Sequence, residues 1–198
     1  ILGNSYYHMG NPDKAISNLS KYVSDAEEPL RSDLYILGVC YYNKASYNSA
    51  VDCFGRIVRE PDALTQNAYL YLGQSYLKLN DRNNARMAFE SAAKSSFDKQ
   101  VKEAAMYNYA LLIHQTSFTG FGESVTIFEN FLNEFPNSSY SDKVNDYLVE
   151  VYLTTKDYRS ALASIEKIKR PSTRILEAKQ DILFQLGTQS FTNVKLDE

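Results

Sequence analysis

Four side chains in this sequence are candidates for catalysis or metal binding: His8, His114, Cys40 and Cys53. A zinc site draws together nitrogen and sulfur ligands at short spacings. Here 12 residues separate the cysteines, no histidine pair stands beside them, and the two histidines lie far apart in the chain. The cysteines read as free, packed thiols, although spacing alone does not decide whether their Cα atoms reach disulfide range. No Gly-rich loop ending in Lys-Ser or Lys-Thr, no His-Glu-x-x-His and no Gly-x-Ser-x-Gly occurs. Phosphate cradling, zinc hydrolysis and a serine nucleophile elbow therefore lack their motifs. The expectation is of no catalytic centre, no metal and no cofactor.

What remains is the chemistry of a surface. The 198 residues include 16 Tyr and 10 Phe, are 44% hydrophobic, and set 21 Lys and Arg against 24 Asp and Glu for a net charge of −3. That composition folds and leaves no electrostatic footprint for nucleic acid or an anionic membrane. The one dense basic run, Lys167 to Arg170, is short and reads as a solvated helix end. No stretch of about 20 apolar residues offers a membrane span. The chain opens on Ile1, so a removed leader stays open.

Such side chains must be held by a scaffold, and its period is visible. Leu37, Gly38, Tyr41, Ala50 and Phe54 return as Leu2, Gly3, Tyr6, Ala15 and Leu19 at one 35-residue step upstream, and as Leu72, Gly73, Tyr76, Ala85 and Phe89 at one step downstream. Self-similarity at this period signals stacked helix-turn-helix units. Leu37 and Tyr41 share one face of a first helix, Ala50 and Phe54 one face of a second. Glycine inside a helix costs about 1 kcal/mol against Ala. Close approach of the second helix would offset that, with Ala15, Ala50 and Ala85 expected as the small residues opposite Gly3, Gly38 and Gly73. Asn11, Ser46 and Asp81 fall where each would cap the second helix. Pro12 suits a first helical turn, and Pro29, Pro61, Pro136 and Pro171 fall near the ends of helix pairs.

The pattern then bends. In the fourth repeat Tyr109 and Ala110 replace Leu-Gly, Ile113 replaces Tyr, and Ser124 takes the Ala position two residues late. The extra length enters the turn between His114 and Gly122, where Phe118 and Phe121 either reach a partner or fold back over the seam. The fifth repeat is regular, with Leu148, Val149, Tyr152, Ala161 and Ile165 in phase and Asp157 at the capping position. A last helix over about Thr173 to Leu186 places Leu176, Lys179, Leu183 and Gly187 in the phase of a sixth first helix. Both ends cut through repeats, which suggests a fragment of a longer chain.

Leu-Gly, then Tyr, then Ala, then an aromatic residue at these intervals resembles the tetratricopeptide repeat family. The resemblance implies an all-α, right-handed superhelix, an α-solenoid of about five to six repeats. Approximate repeat bounds are 1–29, 30–64, 65–99, 100–138, 139–172 and 173–198, all in one solenoid. It also implies a noncatalytic module that binds a protein or peptide segment on the concave face formed by the first helices. Carried onto this sequence, the family's ligand-facing phases fall on Asn4, Tyr7, His8, Tyr35, Tyr42, Asn43, Asn67, Gln74, Lys78, Tyr107, His114 and Gln115. These are rich in Tyr and amides and poor in charge, a set suited to an extended peptide. Family members that hold a terminal carboxylate use Lys, Arg and Asn where this chain has Tyr35, Val39, Asn67 and Tyr71, so that clamp is not expected. The alternative is a spacer or self-association unit that forms homo-oligomers through its ends or convex face. Phe135-Pro136-Asn137-Ser138-Ser139-Tyr140 resembles helix-pair endings of bacterial envelope-associated members, and the compartment is otherwise open.

Overall fold

The computed structural model describes residues 2–116 and 122–194, and every regular element among them is an α-helix. In chain order these are α1 (Leu2–His8), α2 (Pro12–Asp25), α3 (Arg31–Asn43), α4 (Tyr47–Gly55), α5 (Ala63–Lys78), α6 (Arg82–Lys94), α7 (Lys99–Thr116), α8 (Glu123–Glu134), α9 (Ser141–Thr154), α10 (Tyr158–Ile165) and α11 (Thr173–Val194). The chain divides into two compact units, Ile1–Tyr109 and Ala110–Glu198. The residues Phe118 and Phe121, expected to act in the lengthened turn, lie outside the described residues. The helical-repeat, α-solenoid class expected from the 35-residue period is the class observed.

In the first unit α1 pairs with α2, α3 with α4 and α5 with α6, each second helix packs on the next first helix, and α1, α3 and α5 lie side by side. The turn inside each pair repeats at the same step. Gly10, Ala45 and Asn80 have φ of 71°, 57° and 60°, the left-handed geometry that ends many helices. The following amides of Asn11, Ser46 and Asp81 then donate back to the carbonyls of Tyr6, Tyr41 and Tyr76 at 2.9, 2.9 and 2.8 Å. The side chains of Asn11 and Asp81 accept from the amides of Lys14 and Asn84 at 3.2 and 3.1 Å, as expected. Ser46 does not cap. Its ψ of 64° departs from the 79° and 81° of the other two, and its shorter side chain forms no such bond.

The recurring glycines face different neighbours from those expected. A Cβ at Gly38 would stand 2.8 Å from the ring of Phe54, one at Gly73 2.6 Å from that of Phe89, and one at Gly3 2.5 Å from Leu19. The large residue of the second helix, rather than Ala15, Ala50 or Ala85, fills the notch that glycine leaves. Leu19, Phe54 and Phe89 are accordingly buried, and the alanines are buried beside them.

Polar clamps close the seams between pairs. Gln66 is fully buried; its Nε2 donates to the carbonyls of Ala92, Ser95 and Asp98, and its Oε1 accepts from the Asp98 amide at 2.7 Å. One step earlier, Arg31 donates to the Ile57 carbonyl at 3.1 Å and forks onto Asp62 at 2.6 and 3.0 Å. That fork, with the Thr65 amide, holds the Asp62 carboxyl well below the usual carboxylate range.

In the second unit α8 packs on α9 and α10, and α11 on α9 and α10. Ser124 is buried at the Ala position and Phe128 at the aromatic one. Asp157 caps α10 through the Ser160 amide at 3.1 Å. The phase expected for α11 is corrected. Ile175, Ala178 and Ile182 form its buried stripe, whereas Leu176 and Leu183 are 47% and 49% exposed and a Cβ at Gly187 would meet nothing within 4 Å.

Candidate interaction surface

The first-helix layer of the first unit carries a continuous aromatic wall. Tyr71 on α5 stacks on Phe54 of α4, with centroids 5.1 Å apart and planes at 14°. Tyr35 and Tyr42 of α3 meet Tyr71 edge-on at 5.9 and 5.4 Å, and Tyr7 of α1 packs on the same cluster. All four tyrosines are partly exposed. Burial pushes the Tyr35 hydroxyl up to about 12 and raises those of Tyr42 and Tyr71, so each keeps its proton. Among the described residues none of these three hydroxyls is hydrogen-bonded to protein. They stand ready as donors.

The remaining residues expected to meet a ligand divide by environment. His8, Asn43 and Lys78 are exposed at the ends of α1, α3 and α5, and Gln74 is partly exposed on α5. Asn4 donates to Asp33 at 2.7 Å across to α3, and Asn67 donates back to its own helix at Ala63. Tyr107 is a correction: it is only 7% exposed, so its ring is packed and not open to a ligand. In the second unit His114 lies 5.1 Å from Tyr147 and 6.1 Å from Phe128, Tyr147 stacks on Phe128 at 5.7 Å and 16°, and Gln115 is exposed. His114 thus occupies in its unit the place that Tyr42 occupies in the first. Sequence reasoning missed Tyr71 and Tyr147 as members of these clusters. Each directly precedes the buried leucine of its first helix, Leu72 or Leu148, and that shared phase was the available signal.

Cys40 and Cys53 are unbridged and buried, and burial pushes the Cys53 thiol up to about 12, which leaves it protonated and unreactive. No group of three His, Cys, Asp or Glu among the described residues is placed to hold a metal. No helix among them is long and apolar enough to cross a membrane.

A sequence profile described as tetratricopeptide repeat matches residues 1–26 and 67–97, the segments that hold two of the three glycine notches. Those two segments carry the tetratricopeptide repeat. A crystal structure of a TPR repeats protein from Bacteroides fragilis NCTC 9343 superposes with a TM-score of 0.62 at 13% identity, covering 93% of this chain and 96% of that one. Two further solved structures align less closely, each with a TM-score of 0.41. One is a putative protein binding protein from Bacteroides ovatus ATCC 8483, at 14% identity over 91% and 92% of the two chains. The other is the TPR2AB-domain:pHSP90 complex of yeast Sti1, at 16% identity over 99% and 86%. Comparison with curated proteins finds no match. Tetratricopeptide repeat proteins are generally noncatalytic scaffolds.

Proposed function

We propose that this chain is a noncatalytic interaction module that holds an extended peptide or protein segment against the exposed face of α1, α3 and α5. The observation that supports it is the wall of Tyr7, Tyr35, Tyr42 and Tyr71, whose half-exposed rings offer apolar contact while three hydroxyls remain available to the carbonyls of a bound chain. His8, Asn43, Gln74 and Lys78 form its polar rim. The stacked helices order this face beforehand, so binding need not order the host backbone. In the second unit His114 and Gln115 stand at the same phase on α7.

Peptides selected from a random display library against the whole chain would be mapped by amide chemical shifts. The reading expects them on α1, α3 and α5. It expects the triple variant Tyr35→Phe, Tyr42→Phe, Tyr71→Phe to retain folding and to lose roughly tenfold in affinity, about one hydrogen bond's worth. Selected peptides that map only to α2, α4 and α6 would sink it.

A second reading, self-association, is favoured by the exposed Leu176, Leu183 and Phe184 on α11. Light scattering separates the two: a concentration-dependent dimer abolished by Leu183→Lys supports this one, and a monomer at all concentrations opposes it.

A further inference from the structure

α8 and α10 are second helices of consecutive pairs, and a pocket of about 260 Å³ lies between them, lined by Val125, Thr126, Glu129, Ser160, Ser164 and Lys167. Glu129 is 2% exposed and Ser164 3% exposed. The Ser164 hydroxyl donates to Glu129 Oε1. A serine has one proton to give, so the 2.9 Å contact between Tyr152 Oη and Ser164 Oγ runs from the tyrosine to the serine. Two hydroxyl dipoles in series, from α9 and α10, thus aim at one carboxylate oxygen on α8 and fix its orientation.

The other oxygen, Oε2, receives no hydrogen bond among the described residues. Its nearest cation is Lys167 Nζ at 4.0 Å, beyond hydrogen-bonding reach, on a side chain 65% exposed. A carboxylate taken out of water and left half-partnered is costly. The fold does not require it, because the first unit builds the same groove without a buried carboxylate. There a pocket of about 470 Å³ between α2 and α4 has Ser20 at the phase of Glu129, Cys53 at that of Ser164, Tyr41 at that of Tyr152 and Arg56 at that of Lys167. The architecture supplies the groove; the first lines it with the exposed Asp52, and only the second carries a buried acid.

We propose that the pocket between α8 and α10 is a binding site for the cationic head of an arginine or lysine side chain presented by a partner protein, with Glu129 Oε2 as its counter-ion. The hydroxyls of Thr126 and Ser160 accept the remaining N–H groups, Val125 borders the methylene stem, and Lys167 is the resident cation that the incoming one displaces. This surface is separate from the tyrosine wall of α1, α3 and α5, and either can fail without the other.

The test is a titration of the whole chain with N-acetyl-argininamide and with N-acetyl-lysinamide, followed by amide chemical shifts. Saturable shifts confined to Thr126, Glu129, Ser160, Ser164 and Lys167 are expected from at least one of them, with no saturable response around Ser20 and Cys53. Glu129→Gln keeps the acceptor for Ser164 and removes the charge, and it should weaken binding roughly tenfold or more. Lys167→Ala, an exposed change that leaves folding alone, should tighten binding about threefold to tenfold by removing the competing cation. Shifts that scatter without saturating, an equal response to neutral N-acetyl-citrullinamide, or weaker binding by Lys167→Ala would each overturn the proposal.

Discussion

The ring of Phe54 lies flat on that of Tyr71, joining the second helix of one pair to the first helix of the next, and Phe128 lies on Tyr147 in the same way in the other unit. The same Phe54 ring fills the notch left by Gly38. One side chain therefore fixes both the spacing within a pair and the seam between pairs, and the exposed side of that seam is the proposed ligand face. Stability and binding are coupled there.

Replacing Phe54 with Ala should cost roughly 3–5 kcal/mol, the usual range for a buried aromatic. Tyr71→Phe should leave the melting temperature nearly unchanged, because the stacked ring remains. Denaturation of Phe54→Ala, Tyr71→Ala and the double variant should show a coupling of about 0.5–1.5 kcal/mol. Additivity of the two changes would place the rings in contact without mutual stabilisation.

The helical phase was legible because it rests on residues that recur: Tyr6, Tyr41 and Tyr76 end up accepting the same backbone bond, and Asn11, Asp81 and Asp157 cap as their spacing indicated. The contact partner of each glycine was not legible. A recurring small residue and a recurring large one both mark a helix interface, and only the rotation of the second helix decides which of Ala50 and Phe54 meets Gly38. Tyr107 was misplaced for a related reason, since a tyrosine suits either side of a seam. The Glu129 network joins three helices across 35 residues, and no local pattern announces it.

The glycine notch gives a prediction whose sign separates packing from propensity. Alanine is the better helix former by about 1 kcal/mol. At Gly187, where a Cβ meets open space, Gly187→Ala should raise stability by about 0.5–1 kcal/mol. At Gly73 a Cβ would stand 2.6 Å from the Phe89 ring, so Gly73→Ala should destabilise instead. Urea titrations of both variants check this, and a gain at Gly73 would show that the ring moves freely.

Ala45 holds a left-handed conformation, with φ 57°, where Gly10 stands one step upstream. A Cβ in that region costs about 1 kcal/mol. Ala45→Gly should therefore stabilise the first unit by roughly 0.5–1 kcal/mol, despite the greater freedom of glycine in the unfolded chain. Thermal unfolding measures it, and a lower midpoint would mean that the turn relaxes to accept alanine.

Asp62 and Glu129 should give opposite acid responses. The Asp62 carboxyl is held below its unfolded value, chiefly by Arg31, so its contribution is complete above the unfolded pKa of about 3.9 and is lost as pH falls through the folded one. Asp62→Asn should destabilise at neutral pH, with the deficit shrinking in strong acid. Burial raises the Glu129 carboxyl, against the opposing pull of Lys167. The folded chain then takes up that proton before the unfolded one does, and the penalty of the buried charge is fully present only above the folded pKa. Glu129→Gln should accordingly stabilise the chain at neutral pH, with the gain fading as pH falls towards about 4.3, the ordinary glutamate value. Urea midpoints of the two variants across that range, read against the parent chain, should diverge in opposite directions at pH 7. A Glu129→Gln chain less stable than the parent there would show that the Tyr152 and Ser164 hydroxyls already compensate the charge, and that its retention needs no ligand to explain it.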